Sequence, residues 1–411
     1  MIGNVLEWYE FAIYGYFAVD IAHQFFPETD RFSSLMQTFA VFAIGFFMRP
    51  LGAIVFGYFA DRLGRKKILP ISIILMACAT MAIGLIPTHA QIGVWSGFLL
   101  VLFRIMQGFA VGGEYSSSIA YIIEQTPRAK RGFIGSLTLF GAYFGILLGS
   151  AVSALISFLA KDTAYYEYAW RGAFLLGIFL GLLGLYIRKN MPETPDFIEA
   201  KMEGRLLKNP LKDLFASHFK TVLLGVGMTL LPAVCSWLIM AYFPTYTTQY
   251  GKIAEYQTLA IETATLIVIL VAIPIFGRLS DRVGRFLFLF ASPILLFVFS
   301  YFLFQPLLGS SLFAIFLAQG LLAVMYIMSE AVVPATLASM FPVNQRCTGI
   351  ALSVNISNGF FGGTAPLVAT FLIQKTGHVS SPSWYIMAVA LISLCAAIIA
   401  FKSYHGRIKI P

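Results

Sequence analysis

The sequence predicts an all-α integral membrane protein with twelve transmembrane helices arranged as two six-helix bundles. Three observations lead to this prediction: the composition, the apolar runs, and a motif that occurs twice. Of the 411 residues, 59% are apolar and only 11% are charged, whereas an average soluble domain has about 25% charged residues. Because so few charged side chains cannot cover a globule's surface, the composition excludes a soluble enzyme, a nucleic-acid-binding protein and a disordered chain.

The apolar residues form runs of membrane-spanning length. A bilayer core about 30 Å thick needs about 20 apolar residues per helix. The runs are continuous rather than alternating, which excludes a β-barrel. Twelve runs meet the required length, near residues 5–26, 34–60, 68–87, 92–123, 133–160, 172–188, 221–250, 259–279, 286–305, 311–341, 349–374 and 383–401.

Basic residues fall mainly on one side of these spans. The loops after the even-numbered spans and the C-terminal tail hold 21 of the 28 lysines and arginines, and the opposite loops hold five. Because basic residues are retained in the cytoplasm, we expect a multi-pass protein of the cell (inner) membrane with both termini cytoplasmic. This topology explains the net charge of +9. We therefore expect the basic residues to lie near lipid headgroups, and we expect no nucleic-acid partner.

One long polar stretch, residues 188–220, separates the sixth span from the seventh, and it carries seven basic residues, five acidic residues and three prolines. We therefore expect an N-terminal six-helix bundle over 1–190, a cytoplasmic linker over 191–219 and a C-terminal six-helix bundle over 220–411. The four cysteines are far apart and lack metal-ligand or redox spacing. No disulfide, metal site or cofactor is expected.

The two halves carry the same motif, G-x-x-x-D-R-x-G-R, directly after spans 2 and 8. The copies begin at Gly57 and Gly277, which are 220 residues apart and hold equivalent places in each half. A single copy is a weak signal, whereas two copies at matching positions indicate an internal repeat. The glycines allow close helix approach, and the aspartates suit a helix N-terminus.

With this repeat, the sequence resembles the major facilitator superfamily over its whole length. Its segments 3–11, 47–52, 107–115, 170–171 and 193–195 closely resemble a narrower family within it, the metabolite:proton symporters, which include proline/betaine, α-ketoglutarate, citrate and shikimate transporters. At one position the family usually has Asp where this chain has Glu10.

The resemblance implies that the two motif copies latch the halves together on the cytoplasmic side. The alternative is that these charges only set the topology, although topology alone needs no aspartate. The predicted cytoplasmic gate consists of Gly57, Asp61, Arg62, Gly64, Arg65, Gly277, Asp281, Arg282, Gly284 and Arg285.

Charged residues inside the spans are the next candidates, because each costs at least ~2.5–3.5 kcal/mol at the bilayer centre and is expected to be functional or paired. Glu7 and Glu10 share one face of span 1. They are close enough to hold a single proton between them and titrate as a unit. With Glu114 they form the predicted proton-coupling set, for which interior ion pairing that only holds helices together is the alternative.

Polar and aromatic residues on the remaining spans predict a substrate cavity. Arg49 is as consistent with structural pairing as with transport, and Glu330 precedes Pro334 at a predicted kink. Aromatic stripes are more often core packing than cation–π sites. The predicted cavity residues are Tyr14, Arg49, Arg104, Gln107, Tyr115, Trp237, Tyr242, Glu330, Asn355 and Asn358.

These features together predict a secondary transporter that takes up a small polar metabolite with protons by alternating access. Two intramembrane arginines favour an organic acid or a zwitterion such as proline or betaine. A uniporter or exchanger of the same substrates is the alternative. An enzyme is not expected, since the intramembrane charges include no nucleophile, metal cluster or cofactor motif, and a sensor would not need a duplicated latch. We expect a monomer whose partners are substrate, protons and lipid.

Overall fold

The computed structural model describes residues 2–27, 31–160, 168–190, 192–204, 210–251, 253–309 and 311–408. Every regular element in these ranges is a helix. Within these ranges, eleven helices are long and apolar enough to cross a membrane. The predicted first span is not among them, and it divides at Phe17 into Ile2–Tyr16 and Ala18–Phe25. The predicted all-α membrane fold is confirmed, with this divided helix in the place of span 1.

The helices follow the order of the predicted spans and keep their numbers here. Most of them extend a few residues beyond the apolar run into polar flanks. The uninterrupted helices are span 2 Arg31–Leu63, span 3 Arg65–Leu85, span 4 Trp95–Glu124, span 5 Arg131–Ala160, span 6 Trp170–Lys189, span 8 Glu255–Val283, span 9 Arg285–Phe304 and span 12 Pro382–Ile408.

Three spans of the second half are interrupted, and a proline follows each interruption. Spans 7 and 11 contain wide π-helical turns, and span 10 has a short turn instead. Because Pro244, Pro334 and Pro366 lack a backbone N–H, each leaves the carbonyl four residues earlier without its helical partner. The segments are span 7 Phe219–Trp237, Leu238–Tyr242 and Phe243–Tyr250; span 10 Leu312–Glu330 and Val333–Met340; span 11 Arg346–Ile356, Ser357–Gly362 and Ala365–Thr376.

Helix packing repeats between the first half (residues 2–190) and the second half (residues 219–408). In the first half, span 1 packs on span 5, span 2 on span 4 and span 3 on span 6. In the second half, spans 7 and 11, 8 and 10, and 9 and 12 form the corresponding pairs. The seam between the halves is formed mainly by spans 2 and 11 and by spans 5 and 8, which are also equivalent pairs. The structure is thus a two-fold repeat of six helices.

Spans 2 and 4 cross with their backbones in close contact at glycines. A Cβ atom added to Gly108 would overlap the backbone of Gly45, and one added to Gly112 would overlap the backbone of Arg49. Small residues let membrane helices pack backbone to backbone. The Arg49 backbone is therefore fixed against span 4.

Two short helices, Pro195–Met202 and Pro210–Ser217, follow span 6. Residues 205–209, between these two helices, lie outside the described residues. The loops after spans 2 and 8 lie at the same end of the molecule as these two helices. We call this end of the molecule the motif end. The domain boundaries at 190/191 and 219/220 stay predictions.

Candidate functional site

A cavity lies on the seam, about midway along the spans that form it. Spans 1, 2, 4 and 5 line it from the first half, and spans 7, 10 and 11 line it from the second. Its wall is mostly apolar and aromatic, with one basic and one acidic side chain among the lining residues. The polar and aromatic members are Trp8, Arg49, Tyr115, Tyr143, Thr229, Ser236, Trp237, Glu330 and Asn358.

The basic side chain, Arg49, is held from both halves. Its Nε donates to Oδ1 of Asn355 at 3.2 Å, and its guanidinium carbon lies 5.4 Å from the ring centroid of Trp8. Asn355 is in turn fixed by donating to the carbonyls of Gly112 and Ala351 at 3.0 and 2.9 Å. Arg49 is 1% exposed, and its Nη1 has no hydrogen-bond partner among the described residues. The site therefore presents an orientated cation with donor capacity to spare.

The acidic side chain, Glu330, is the last residue of the first segment of span 10. The Tyr143 hydroxyl, from span 5, donates to Glu330 Oε2 at 3.0 Å and lies 2.9 Å from the Tyr326 hydroxyl. Glu330 is only partly buried. Broken helices of this kind mark binding sites in transporters, and here the break positions a carboxylate opposite the first half.

Aromatic rings occupy much of the remaining wall. The indole Nε1 of Trp237 donates to Oδ1 of Asn358 at 3.3 Å, and its ring meets that of Phe46 edge-on at 4.7 Å. Trp237 immediately precedes the π-helical turn of span 7, and Asn358 lies within that of span 11. Such π turns are frequent at functional sites.

A second, smaller cavity lies inside the first half, and all three predicted proton-coupling residues line it. Glu7, Glu10 and Glu114 surround it together with Ser72 of span 3. Each of the three carboxylate side chains is no more than 3% exposed. Ser72 donates to Glu114 Oε2 at 2.5 Å. The structure therefore brings three buried carboxylates from spans 1 and 4 to one place, which we call the acidic cavity.

Arg104 is connected to the acidic cavity by a line of hydrogen bonds. Its Nη1 donates to Gln107 Oε1 at 2.7 Å, Gln107 Nε2 donates to the Thr80 hydroxyl at 2.7 Å, and that hydroxyl donates to Glu10 Oε2 at 2.8 Å. The Arg104 guanidinium also lies 4.3 Å from the ring centroid of Tyr14. We call Arg104, Gln107, Thr80 and Glu10 the polar chain.

The predicted substrate-cavity residues thus divide into groups. Five of the ten line the seam cavity, namely Arg49, Tyr115, Trp237, Glu330 and Asn358. Asn355 lies behind Arg49, while Tyr14, Arg104 and Gln107 are buried around the polar chain. Tyr242 is buried in the π-helical turn of span 7 and packs against Tyr246 at 5.6 Å between ring centroids.

At the motif end, the first motif copy joins the halves. Asp61, which is fully buried, accepts hydrogen bonds from the backbone N–H groups of Cys347 and Thr348 at 3.0 and 2.8 Å, and from the Thr348 hydroxyl at 2.7 Å. These residues form the first turn of span 11, where the helix dipole favours an anion. A Cβ on Gly57 would lie 2.9 Å from the Thr348 Cα, so this glycine permits the contact.

The second copy makes the equivalent contact in the opposite direction. Asp281 accepts from the backbone N–H groups of Gly132 and Phe133, in the first turn of span 5, at 2.7 and 2.8 Å. Gly277 faces Ser136 of the same helix. Each aspartate therefore caps a helix of the other half.

The glycines and arginines of the motif have distinct positions. Gly64 and Gly284 have φ values of 100° and 94°, which L side chains rarely adopt, and they make the turn between consecutive spans. Arg285 donates to the carbonyl of Ala335 at 3.0 Å. Arg62 and Arg282 are exposed, as expected of side chains that meet headgroups or water.

The first loop also belongs to a larger charge network. Arg65, which is fully buried, pairs with Glu124 at 2.9 Å. Glu124 also pairs with Arg346 of span 11 at 3.0 Å, and Arg346 pairs with Asp196 of the segment after span 6 at 3.1 Å. These ion pairs tie spans 3, 4 and 11 to the segment that connects the halves.

Sequence reasoning missed several polar residues of the interior. Glu262 of span 8 is 8% exposed and accepts from Gln319 Nε2 at 2.6 Å. The rule that selected the other intramembrane carboxylates applies to it equally, so the signal was present. Tyr143 and Thr80 carry no such signal, because single hydroxyls are common in membrane helices and only the packing reveals their partners. No cluster of potential metal ligands occurs among the described residues.

Known proteins resemble this chain at both sequence and structure level. The family model "Sugar (and other) transporter" matches residues 1–205. A glycine betaine/proline/ectoine/pipecolic acid transporter of Dickeya dadantii is 34% identical over 417 residues, covering 99% of this chain and 83% of the relative. The proline/betaine transporter of Escherichia coli K12 is 33% identical with the same coverage.

The chain belongs to the major facilitator superfamily. Because it is 34% identical to proline/betaine transporters over 99% of its own length, it belongs to the same family as those carriers, so it is a transporter and not an enzyme. The fold agrees. The proton:xylose symporter XylE bound to 6-bromo-6-deoxy-D-glucose superimposes with a TM-score of 0.80 at 16% identity, covering 100% of this chain and 94% of XylE. A partially occluded inward-open form of XylE from Escherichia coli gives 0.67 at 18% identity, covering 98% and 95%.

Proposed function

We propose that this transporter takes up a small zwitterion of the proline/betaine class together with protons, by alternating access around the seam cavity. The observation that carries the proposal is the cavity itself, whose lining has one arginine from the first half and one glutamate from the second. A net-neutral ligand with a separated positive and negative charge matches this lining. The names of the relatives, which include glycine betaine and proline, support the same class.

Alternating access requires the two halves to separate at one end while they close at the other. The reciprocal aspartate contacts at the motif end suit a closed latch, because all five hydrogen bonds join a carboxylate to a helix of the other half. Each carboxylate bond to an N–H is charge-assisted and therefore stronger than a neutral one. In the opposite state these bonds are broken, and the cavity opens towards the motif end.

Proton coupling is assigned to the acidic cavity. Three buried carboxylates, Glu7, Glu10 and Glu114, line this one small space, and a positioned carboxylate can bind and release a proton. Glu7 also lies within electrostatic range of Arg49. The acidic cavity is thus connected to the substrate site through one arginine and to Arg104 through the polar chain.

We propose that the motif end faces the cytoplasm, with both termini on that side of the cell membrane. We also propose that the protein works as a monomer whose bundles comprise residues 1–190 and 220–411. Single cysteines at Lys66 and Lys375, which are both exposed, should react with an impermeant thiol reagent from opposite sides: Lys66→Cys from inside and Lys375→Cys from outside. The reverse pattern would overturn the orientation.

The function is tested in proteoliposomes containing the purified protein. Labelled glycine betaine or proline should accumulate above its external concentration when the interior is made alkaline, and a protonophore should abolish this. Equilibration without accumulation would indicate a uniporter or exchanger instead. Transport of α-ketoglutarate or citrate with no transport of either zwitterion would overturn the substrate class.

A further inference from the structure

The basic and acidic residues of the seam cavity lie on opposite halves of the protein. Its basic residue belongs to the first half and its acidic residue to the second, and Tyr115 lies within electrostatic range of both. A ligand in this cavity therefore experiences a positive wall on one side and a negative wall on the other. A zwitterion has two possible orientations in such a field, and only one of them pairs both of its charges.

The environment of Arg49 suits a carboxylate. Asn355 holds its Nε, the Trp8 ring covers one side, and its Nη1 has no partner among the described residues. Arginine presents several N–H groups in a fixed fork that matches a carboxylate. A carboxylate oxygen would supply the missing acceptor for a buried N–H group, and leaving such a group without an acceptor is unfavourable.

The environment of Glu330 suits a substituted ammonium group. A quaternary ammonium cannot donate hydrogen bonds, so it is bound by opposite charge and by aromatic faces. Glu330 supplies the charge, and Tyr143 already satisfies one of its oxygens at 3.0 Å. The rings of Trp237, Tyr115 and Tyr143 line the same cavity.

We infer that one zwitterion bridges the two halves, with its carboxylate on Arg49 and its ammonium group between Glu330 and the surrounding rings. The inference rests on the proposed transport of proline/betaine-class zwitterions and adds the two subsites and the orientation. It follows that a ligand with only one of the two charges leaves the opposite wall unpaired. Building an unpaired charge against the wrong ligand is a general source of specificity.

Three probes of nearly one shape separate the two subsites. Glycine betaine carries both charges, tert-butylacetate has carbon in place of the nitrogen, and choline lacks the carboxylate. Their binding to the detergent-purified full chain is measured by competition against labelled glycine betaine. Wild type should bind glycine betaine at least about tenfold more tightly than either of the others, since an unpaired buried charge is costly.

Substitution should then change the preference selectively. Glu330→Gln should lower the affinity for glycine betaine at least about tenfold, while the affinity for tert-butylacetate stays unchanged or rises. Arg49→Gln should likewise lower the affinity for glycine betaine at least about tenfold, while the affinity for choline stays unchanged or rises. Arg49→Lys keeps the charge and should keep the wild-type preference for glycine betaine over choline, which tests the subsite if Arg49→Gln does not fold. Glu262→Gln, a buried carboxylate that does not line the seam cavity, is the matched control and should keep the wild-type preference.

The orientation would be overturned if Glu330→Gln lowered the affinities for glycine betaine and tert-butylacetate equally. It would also be overturned if Arg49→Gln lowered the affinities for glycine betaine and choline equally. A glycine betaine affinity within about twofold of wild type in both variants would overturn it as well, since each variant removes a charge that the proposal pairs. These results leave the proposed function standing. In contrast, failure of wild type to bind any zwitterion would overturn the proposed function and this inference with it.

Discussion

The two halves share one packing plan but differ in where they carry charge and where their helices break. The first half holds five buried charged side chains close to the seam and the acidic cavity: Glu7, Glu10, Arg49, Arg104 and Glu114. Its spans 2 to 6 are uninterrupted helices. The second half has interruptions in spans 7, 10 and 11, and its interior carboxylates are Glu262 and Glu330. The repeat therefore conserves the scaffold while each half has its own chemistry.

This difference has a physical reason. A dense set of buried charges needs rigid surroundings, because each charge keeps its partners only while the helices around it stay in register. Interrupted helices instead carry π-helical turns beside Trp237 and at Asn358, and such turns are frequent at functional sites. Under the proposed function, the first half would carry the proton-binding carboxylates and Arg49, and the second half would supply Glu330 as the partner of the substrate's ammonium group.

The largest expected effect separates the halves by proton coupling. Glu7→Gln or Glu10→Gln should abolish accumulation driven by a pH difference, so that internal and external substrate concentrations become equal, while counterflow exchange persists. A glutamine cannot bind and release a proton in the cycle, although it keeps a similar shape. Glu114→Gln is the next candidate, and proteoliposome uptake is the measurement. If all three variants still accumulate substrate, these carboxylates are structural and the proton takes another route.

The two motif copies provide the second comparison. Asp61→Asn should shift the balance between open and closed motif ends more than Asp281→Asn, because Asp61 is fully buried with three hydrogen bonds while Asp281 is partly exposed with two. Losing a charged acceptor costs about 1–3 kcal/mol, which corresponds to a population shift of about 5- to 150-fold.

Distances between spin labels at Arg128 and Arg278, exposed positions of opposite halves at the motif end, report this balance. Asp213→Asn in the segment between the halves is the control and should leave the distance distribution unchanged. A wild-type distribution in Asp61→Asn would reduce the motif to a topology signal.

A smaller effect is expected from interrupting the polar chain. Thr80→Val removes the hydroxyl that joins Gln107 to Glu10, leaving a buried donor and a buried acceptor unsatisfied at a cost of about 1–3 kcal/mol. The initial rate of pH-driven uptake should fall about tenfold, the equivalent of about 1.4 kcal/mol. Thr80→Ser retains the hydroxyl and should transport at nearly the wild-type rate. Equal rates in the two variants would show that the chain has no part in coupling.

The smallest effect tests whether the second half has a proton site of its own. Glu262→Gln keeps the shape beside Gln319 and should change pH-driven accumulation by less than about twofold, in the range of an uncoupled substitution. Loss of accumulation comparable to that in Glu10→Gln would mean that both halves carry coupling carboxylates. The division of chemistry between the halves would then be wrong.

Most of the fold could be predicted from the sequence, because a membrane-spanning helix is recognisable from a local stretch of apolar residues. Apolar length alone predicts a spanning helix, and the repeated motif marks equivalent ends. The grouping of Glu7 with Glu10 also followed from helical spacing. The interruption at Phe17 did not, since residues 16–18 are all apolar or aromatic and carry no proline or glycine.

The site was harder to predict, as Arg104 illustrates. Arg104 and Tyr115 lie on one stripe of span 4, but eleven residues of helix separate them by about 16 Å along the axis. Helical spacing gives the direction of a side chain and not its depth, so the two residues fall in different environments. Contacts between halves, such as Arg49 with Asn355, depend on how the repeats pair and have no local signature.

The glycine crossing of spans 2 and 4 has a mechanical consequence. Where two helix backbones touch without intervening side chains, no compressible layer separates them. The two helices should therefore move as one rigid body. We expect the separation between Arg49 and the carboxylate of Glu114 to stay constant through the cycle while that between Arg49 and Glu330 changes. Substrate bound across the seam would then act as a strut whose length sets how far the halves close, so that a ligand too long or too short would stall the carrier without failing to bind.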